Sequence, residues 1–136
     1  MTRYIAIIDH GKDGTLFAWF PDAPGCTATG KSEEEVVRSA TEALAEWASD
    51  AIASGLAVPS ARSYLRLVKS GEFPQLGKGG MVATIPLLKL SGKLAKANIS
   101  LDAGLLETID EEATRRGMTR SAFLASAAME KLRETV

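Results

Sequence analysis

The sequence has a single cysteine, Cys26, so it offers neither a disulfide framework nor a cysteine metal cluster. It has no apolar run approaching the about 18–20 residues that a bilayer span requires. Its first residues, Met1-Thr2-Arg3-Tyr4, lack the apolar core and cleavage site of a signal peptide. These absences predict a cytoplasmic protein without a membrane partner, a metal site or a cofactor.

The sequence also lacks an excess of charge of either sign. It contains 16 Lys and Arg against 17 Asp and Glu in 136 residues. Nine basic and ten acidic residues lie in 1–90, and seven of each lie in 91–136. Neither half has the basic excess that would by itself indicate nucleic-acid binding. Charge therefore leaves that function open, and the pattern of residues has to decide it.

The segment Lys96–Leu101 alternates strictly between polar and apolar residues. A period of two predicts a β-strand with one dry face and one wet face. The dry face would consist of Ala97, Ile99 and Leu101, and the wet face of Lys96, Asn98 and Ser100.

Two helices are predicted to follow this strand. Asp102 supplies an N-cap oxygen to the first helix, and Gly117 ends that helix after two arginines. Thr119 caps the second helix. One strand and two helices bury too little surface to be stable alone, and the strand leaves both edges unpaired. We therefore expect two copies of the strand to pair antiparallel across a homodimer or a higher homo-oligomer.

This unit of 93–136 resembles a ribbon-helix-helix DNA-binding domain, on the strength of the alternating strand, Asp102 and the turn Gly117-Met118-Thr119-Arg120-Ser121. The resemblance implies a two-stranded ribbon in the major groove, where side chains of the wet face read base edges. The predicted base-reading residues are Lys96, Asn98 and Ser100. The predicted phosphate-binding residues, at the start of the second helix, are Thr119, Arg120 and Ser121.

The first 90 residues predict a small α/β sheet domain of order β-β-β-α-β, with a short extra helix within 60–70. Ser32 and Glu35 have capping-box spacing at the start of the long helix. Pro86 predicts an edge position or a strand end. The boundary to the second module is expected at Ser91-Gly92. The predicted strands and long helix are Tyr4–Asp9, Thr15–Phe20, Cys26–Thr29, Ser32–Ala51 and Met81–Leu88. The predicted class of the whole chain is α+β.

The run Phe20-Pro21-Asp22-Ala23-Pro24-Gly25-Cys26, followed by Thr29-Gly30-Lys31-Ser32 and Glu35, is similar to the signature of HicB-type antitoxins. Members of that family carry a strand, a Pro-Asp-x-Pro-Gly-Cys turn and a capped helix in this order. Some of them also carry a ribbon-helix-helix tail. Both halves of the chain therefore resemble the same family.

The resemblance implies a partial ribonuclease-H-like domain that binds and inhibits a HicA-type toxin, which cuts mRNA. It implies a tail that binds operator DNA and represses the toxin–antitoxin operon. The protein would then be a non-enzymatic antitoxin and autorepressor. Candidate toxin contacts are Phe20, Asp22 and Cys26.

Two other functions stay open from the residues alone. A ribbon-helix-helix regulator could carry an N-terminal module that binds a ligand or another protein. A metal-dependent nuclease could use Asp9, Asp13 and Asp22, although aspartates are expected in such turns anyway. The segment Phe20–Cys26 also fits a purely structural turn, with Cys26 as a small buried residue rather than a nucleophile.

Overall fold

The computed structural model describes residues 1–73, 75–77 and 79–134. The chain separates into two compact units, Met1–Ser91 and Gly92–Val136. The described elements are β1 Arg3–His10, β2 Leu16–Trp19, β3 Thr27–Gly30, α1 Glu33–Ala53, α2 Tyr64–Ser70, β4 Met81–Pro86, α3 Ala103–Arg115 and α4 Arg120–Arg133. The α+β class and the order β-β-β-α-β with a short extra helix are confirmed. Among the described residues, no helix combines the length and the apolar character needed to cross a bilayer.

The four strands form one antiparallel sheet in the order β3-β2-β1-β4. Strand β1 is central, since its residue Ile7 pairs with Trp19 of β2 on one edge and with Val82 of β4 on the other. The edge strand β4 ends at Pro86, as predicted. Proline has no amide donor, and at the end of an edge strand this removes no hydrogen bond between strands.

The alternation of β1 divides the core of the first unit between the two faces of the sheet. Tyr4, Ala6 and Ile8 pack on one face with the apolar stripe of α1. Ile5 and Ile7 pack on the other face, around the fully buried Leu67 of α2. Because α2 buries only this one residue, it is attached to the sheet far more lightly than α1 is.

Capping explains where α1 begins. The Ser32 side chain accepts a hydrogen bond from the Glu35 amide at 3.1 Å, which satisfies one of the free donors of the first turn. Just before the cap, Gly30 lies against the backbone of Val36 so closely that a Cβ atom would overlap it. The end of β3 is therefore packed directly on the first turn of α1.

In the second unit, α3 and α4 form with the predicted caps. The Asp102 carboxylate accepts from the Leu105 amide at 2.9 Å, and the Thr119 hydroxyl accepts from the Ala122 amide at 3.1 Å. Gly117, with φ +69°, ends α3, and the Met118 amide donates to the Ala113 carbonyl at 2.8 Å. This is the hydrogen bond of a Schellman C-cap.

The predicted strand Lys96–Leu101 is absent from the single chain, which has neither helix nor strand from residue 91 to 102. Every residue from 91 to 101 is exposed, including Ile99 at 62 % and Leu94 fully. A strand exists only when its backbone groups pair with a neighbour, and the described part of one chain supplies no neighbouring strand here. The strand, which we expect from the pairing of two copies, therefore stays a prediction.

Candidate functional site

The segment 20–26, here called the signature turn, follows β2 and leads into β3. The Cys26 amide donates to the Ala23 carbonyl at 3.0 Å, with Pro24 and Gly25 at the two central positions. Gly25 has φ +84°, the conformation that a type II turn requires at its third residue. The predicted type II turn at Pro24-Gly25 is confirmed.

The three side chains predicted to contact a toxin lie inside the fold. Phe20, Asp22 and Cys26 are 2 %, 8 % and 4 % exposed, respectively. Burial raises the pKa of the Cys26 thiol to about 11, so this sulfur stays protonated and is a poor nucleophile. Because almost none of their surface is accessible, these residues build the turn, and a partner has to be contacted by others.

Asp22 has a definite structural role. Its carboxylate accepts hydrogen bonds from the Arg62 backbone amide at 2.7 Å and from Arg62 Nε at 2.9 Å. Arg62 Nη1 also donates to Glu72. The hydrogen bonds to Asp22 and then to Glu72 raise the pKa of Arg62. Arg62, just before α2, is thereby held both by Asp22 of the signature turn and by Glu72, which lies just after the helix.

Two further hydrogen bonds join distant segments of the first unit. Trp47 Nε1 donates to the Pro24 carbonyl at 3.0 Å, which joins α1 to the signature turn. The Tyr4 hydroxyl donates to the Pro59 carbonyl at 2.5 Å, which ties the loop after α1 to the central strand. The signature turn is thus a junction where the sheet, α1 and the α2 segment meet.

The carboxylates considered for a nuclease site each have a different structural partner. Asp9 accepts from Trp19 Nε1 at 3.3 Å, and Asp13 accepts from the Thr15 amide at 3.0 Å. Asp22 is engaged by Arg62. Over the described parts of the chain, no group of three His, Cys, Asp or Glu side chains is arranged to hold a metal ion. The geometry therefore does not favour the nuclease alternative.

Several large apolar side chains of the first unit are exposed, among them residues of β2, α2 and α1. Phe17 projects from β2 at 46 % exposure, and α2 presents Leu65 on its outer side at 66 %. At the end of α1, Ile52 is 67 % exposed and borders an open cavity of about 500 Å³. Most of this cavity is apolar, and it is lined by Ala45, Ala48, Ser49, Ile52, Val58, Leu87, Leu88, Lys89, Leu90 and Ser91.

In the second unit, the predicted base-reading residues Lys96, Asn98 and Ser100 are all exposed in the segment before α3. The predicted phosphate-binding residues differ among themselves. Ser121 is exposed, whereas the Thr119 hydroxyl oxygen already serves as the cap of α4.

Arg120 of α4 makes a bidentate ion pair with Asp110 of α3. Its Nε donates to Asp110 Oδ1 at 2.8 Å and its Nη2 donates to Asp110 Oδ2 at 2.7 Å. These hydrogen bonds lower the pKa of the Asp110 carboxyl. Sequence reasoning missed this pair, since a spacing of ten residues across a turn leaves no periodic signal.

Glu112 plays a similar part at the end of α3. Its carboxylate accepts from Arg115 and, at 2.7 Å, from Arg116 Nε. The hydrogen bonds from Arg115 and then Arg116 lower the pKa of Glu112 to about 2. Three arginines near the turn between α3 and α4 are therefore paired within the same chain, two with Glu112 and one with Asp110.

The fold and the site together define a two-unit α+β protein in which the buried Asp22 carboxylate is held by Arg62. The chain belongs to the family described as HicB-like antitoxin of bacterial toxin–antitoxin systems, whose profile matches residues 4–128.

Solved structures and a phage protein are similar over long stretches. The Burkholderia pseudomallei antitoxin HicB is 25 % identical, with a TM-score of 0.55 over 97 % of this chain and 99 % of that one. A chain in the HicA3 and HicB3 toxin–antitoxin complex shares the fold, at 22 % identity and a TM-score of 0.50 over 63 % of this chain and 98 % of that one. An uncharacterized 14.9 kDa protein of Haemophilus phage HP1 is 27 % identical over 131 residues, which are 95 % of this chain and 96 % of that protein.

Proposed function

We propose that the unit 1–91 binds and inhibits a HicA-type mRNA-cleaving toxin, and that the unit 92–136 dimerises and represses the operon by binding operator DNA. The observation that carries this proposal is that one chain combines a sheet unit with a second unit whose predicted ribbon is exposed along its whole length. The core of the first unit, a partial ribonuclease-H-like domain in this proposal, consists of residues of that unit alone.

The second unit has the apolar surface that dimerisation needs. Only Ile109 and Ala113 are buried in α3, and no residue of α4 is buried. Leu105 and Leu132 are 49 % and 40 % exposed, and Ile99 and Leu101 precede them in the extended segment. A second copy would cover these side chains and pair the two segments as a ribbon, leaving Lys96, Asn98 and Ser100 on the outer face.

The toxin is proposed to bind an exposed apolar surface of the first unit. A stable protein complex buries about 800 Å² on each partner, with large apolar side chains at its centre. The signature turn contributes indirectly to toxin binding, since Asp22 and Arg62 hold the α2 segment on the sheet.

Co-expression with a HicA-type toxin tests the toxin half of the proposal. We expect residues 1–91 to co-purify with the toxin and to abolish its cleavage of mRNA. Single charge substitutions at the three apolar surfaces, Phe17→Glu, Ile52→Glu and Leu65→Glu, then locate the contact. Full neutralisation by a folded protein carrying all three substitutions would contradict a contact at these surfaces.

The cavity at the end of α1 favours one second candidate, an N-terminal module that binds a small ligand. Its volume of about 500 Å³ and its apolar lining are typical of ligand pockets. Mass spectrometry of the purified protein with a toxin tests this alternative. A one-to-one complex that contains no bound small molecule would contradict it.

A further inference from the structure

The α3–α4 turn combines a predicted DNA contact with an acidic partner. Arg120 begins α4, the helix whose free amides are proposed to face a phosphate. Asp110 lies on α3 and holds Nε and Nη2 of this arginine with both carboxylate oxygens, at 2.8 and 2.7 Å. The side chains are 53 % and 43 % exposed, so the pair lies at the surface, where DNA would reach it.

The ion pair affects two kinds of DNA contact differently. In a loose complex on arbitrary sequence, attraction depends on net charge, because side chains do not meet phosphates at fixed positions. Asp110 cancels the charge of Arg120 and so removes most of that attraction. A phosphate held in register by correct base contacts still finds hydrogen-bond donors, since guanidinium has five N–H groups and Asp110 engages two of them.

We propose that Asp110 is a specificity-determining residue for DNA binding. It lowers the contribution of Arg120 to the affinity for non-operator DNA more than its contribution to the affinity for the operator. This inference rests on the proposed function of the second unit. It fits a unit in which seven basic residues are matched by seven acidic ones in 91–136. With so little net attraction for phosphates, selection among sequences depends on base contacts.

The test is the substitution Asp110→Asn in the full chain, which keeps the shape and removes the charge. Fluorescence anisotropy would measure binding to the DNA upstream of the gene and to a scrambled duplex, at two salt concentrations. We expect affinity for the scrambled duplex to rise roughly two- to fivefold, the size of an exposed ion pair, and affinity for the operator to rise less. The salt dependence on scrambled DNA should steepen by about 0.9 for each additional phosphate that the variant neutralises.

A matched control and a double variant separate the role of this pair from a change in net charge. Glu112→Gln removes the same charge from α3 but releases Arg115 and Arg116 instead. We expect it to leave the ratio of operator to scrambled affinity unchanged. In an Arg120→Ala background, Asp110→Asn should also have no effect on that ratio, since it acts through the arginine.

The outcomes separate this inference from the function on which it rests. A wild-type protein without preference for the upstream DNA would overturn the proposed repressor function itself. A wild-type protein with that preference, and an Asp110→Asn variant with the same ratio, would overturn only the role of Asp110. A loss of affinity for both duplexes would also overturn it, because Asp110 would then be positioning Arg120. Equal effects of Glu112→Gln would assign the change to net charge and overturn the specific role of Asp110.

Discussion

Gly30 lies so close to α1 that the addition of a single Cβ atom should change the stability of the first unit. A Cβ atom added at Gly30 would lie 2.7 Å from the Val36 Cα and closer still to the Val36 amide nitrogen. Ordinary van der Waals contact begins at 3.4 Å, so the strand end and the helix would have to separate by at least 0.7 Å (3.4 minus 2.7 Å). Both neighbours are backbone atoms, which cannot rotate away.

The substitution Gly30→Ala should therefore destabilise the unit as overpacking does, by about 1–3 kcal/mol of unfolding free energy. For a unit of this size, each kcal/mol lowers Tm by about 4–8 °C. The buried face of α1 begins at Val36, so a displaced first turn also loosens the packing of the helix on the sheet.

Tryptophan fluorescence during urea unfolding measures this effect on the full chain. Both tryptophans, Trp19 and Trp47, lie in the first unit, so the signal reports that unit alone. Thr29→Ala is the matched control, because it changes an exposed residue of the same strand without entering α1. A Gly30→Ala protein with the stability of this control would refute the argument that the close approach requires glycine.

Four other perturbations have expected outcomes. Asn98→Ala should lower operator preference by roughly 1–3 kcal/mol for each bidentate pair with a base that it removes, and unchanged preference in mobility shifts would show that the segment does not read bases. Deleting residues 93–136 should lower the oligomer mass in light scattering; an unchanged assembly would place the interface in the first unit. Asp22→Ala should accelerate amide exchange across 60–72, because Arg62 loses both of its hydrogen bonds to that carboxylate, and protection equal to wild type would contradict this role. Glu112, with a folded pKa of about 2 against an ordinary 4.5, contributes stability above pH 4.5 that is lost as the pH falls through 2. Circular dichroism of Glu112→Gln should therefore lack that acid-dependent loss of helix, and an identical pH profile would contradict it.

Local chemistry made much of this fold predictable. Ser32, Asp102 and Thr119 each cap the helix that the sequence indicates, because a cap involves only neighbouring residues. The same holds for the turn at Pro24-Gly25, whose dihedral requirements are met by two adjacent residues.

Long-range pairs could not be predicted in the same way. Arg62 lies 40 residues from Asp22, and no period or composition joins the two. Without that partner, the sequence favours an accessible position for a polar residue in a turn, whereas the structure buries Asp22 beside Phe20. The segment Lys96–Leu101 shows the opposite case, in which the pattern is clear but one chain cannot supply the hydrogen bonds of a strand.

Because the segment before α3 is exposed in one chain, the proposed repression would depend on the amount of protein in a particular way. If the reading ribbon forms only from two chains, then at low concentration its abundance follows the square of the free chain concentration by mass action. The core of the sheet unit lies within one chain, so we expect its folding to be independent of dilution. Toxin capture would therefore vary linearly with antitoxin level, while operator occupancy would rise steeply above a threshold. A cell losing antitoxin would relieve repression before it lost neutralising capacity.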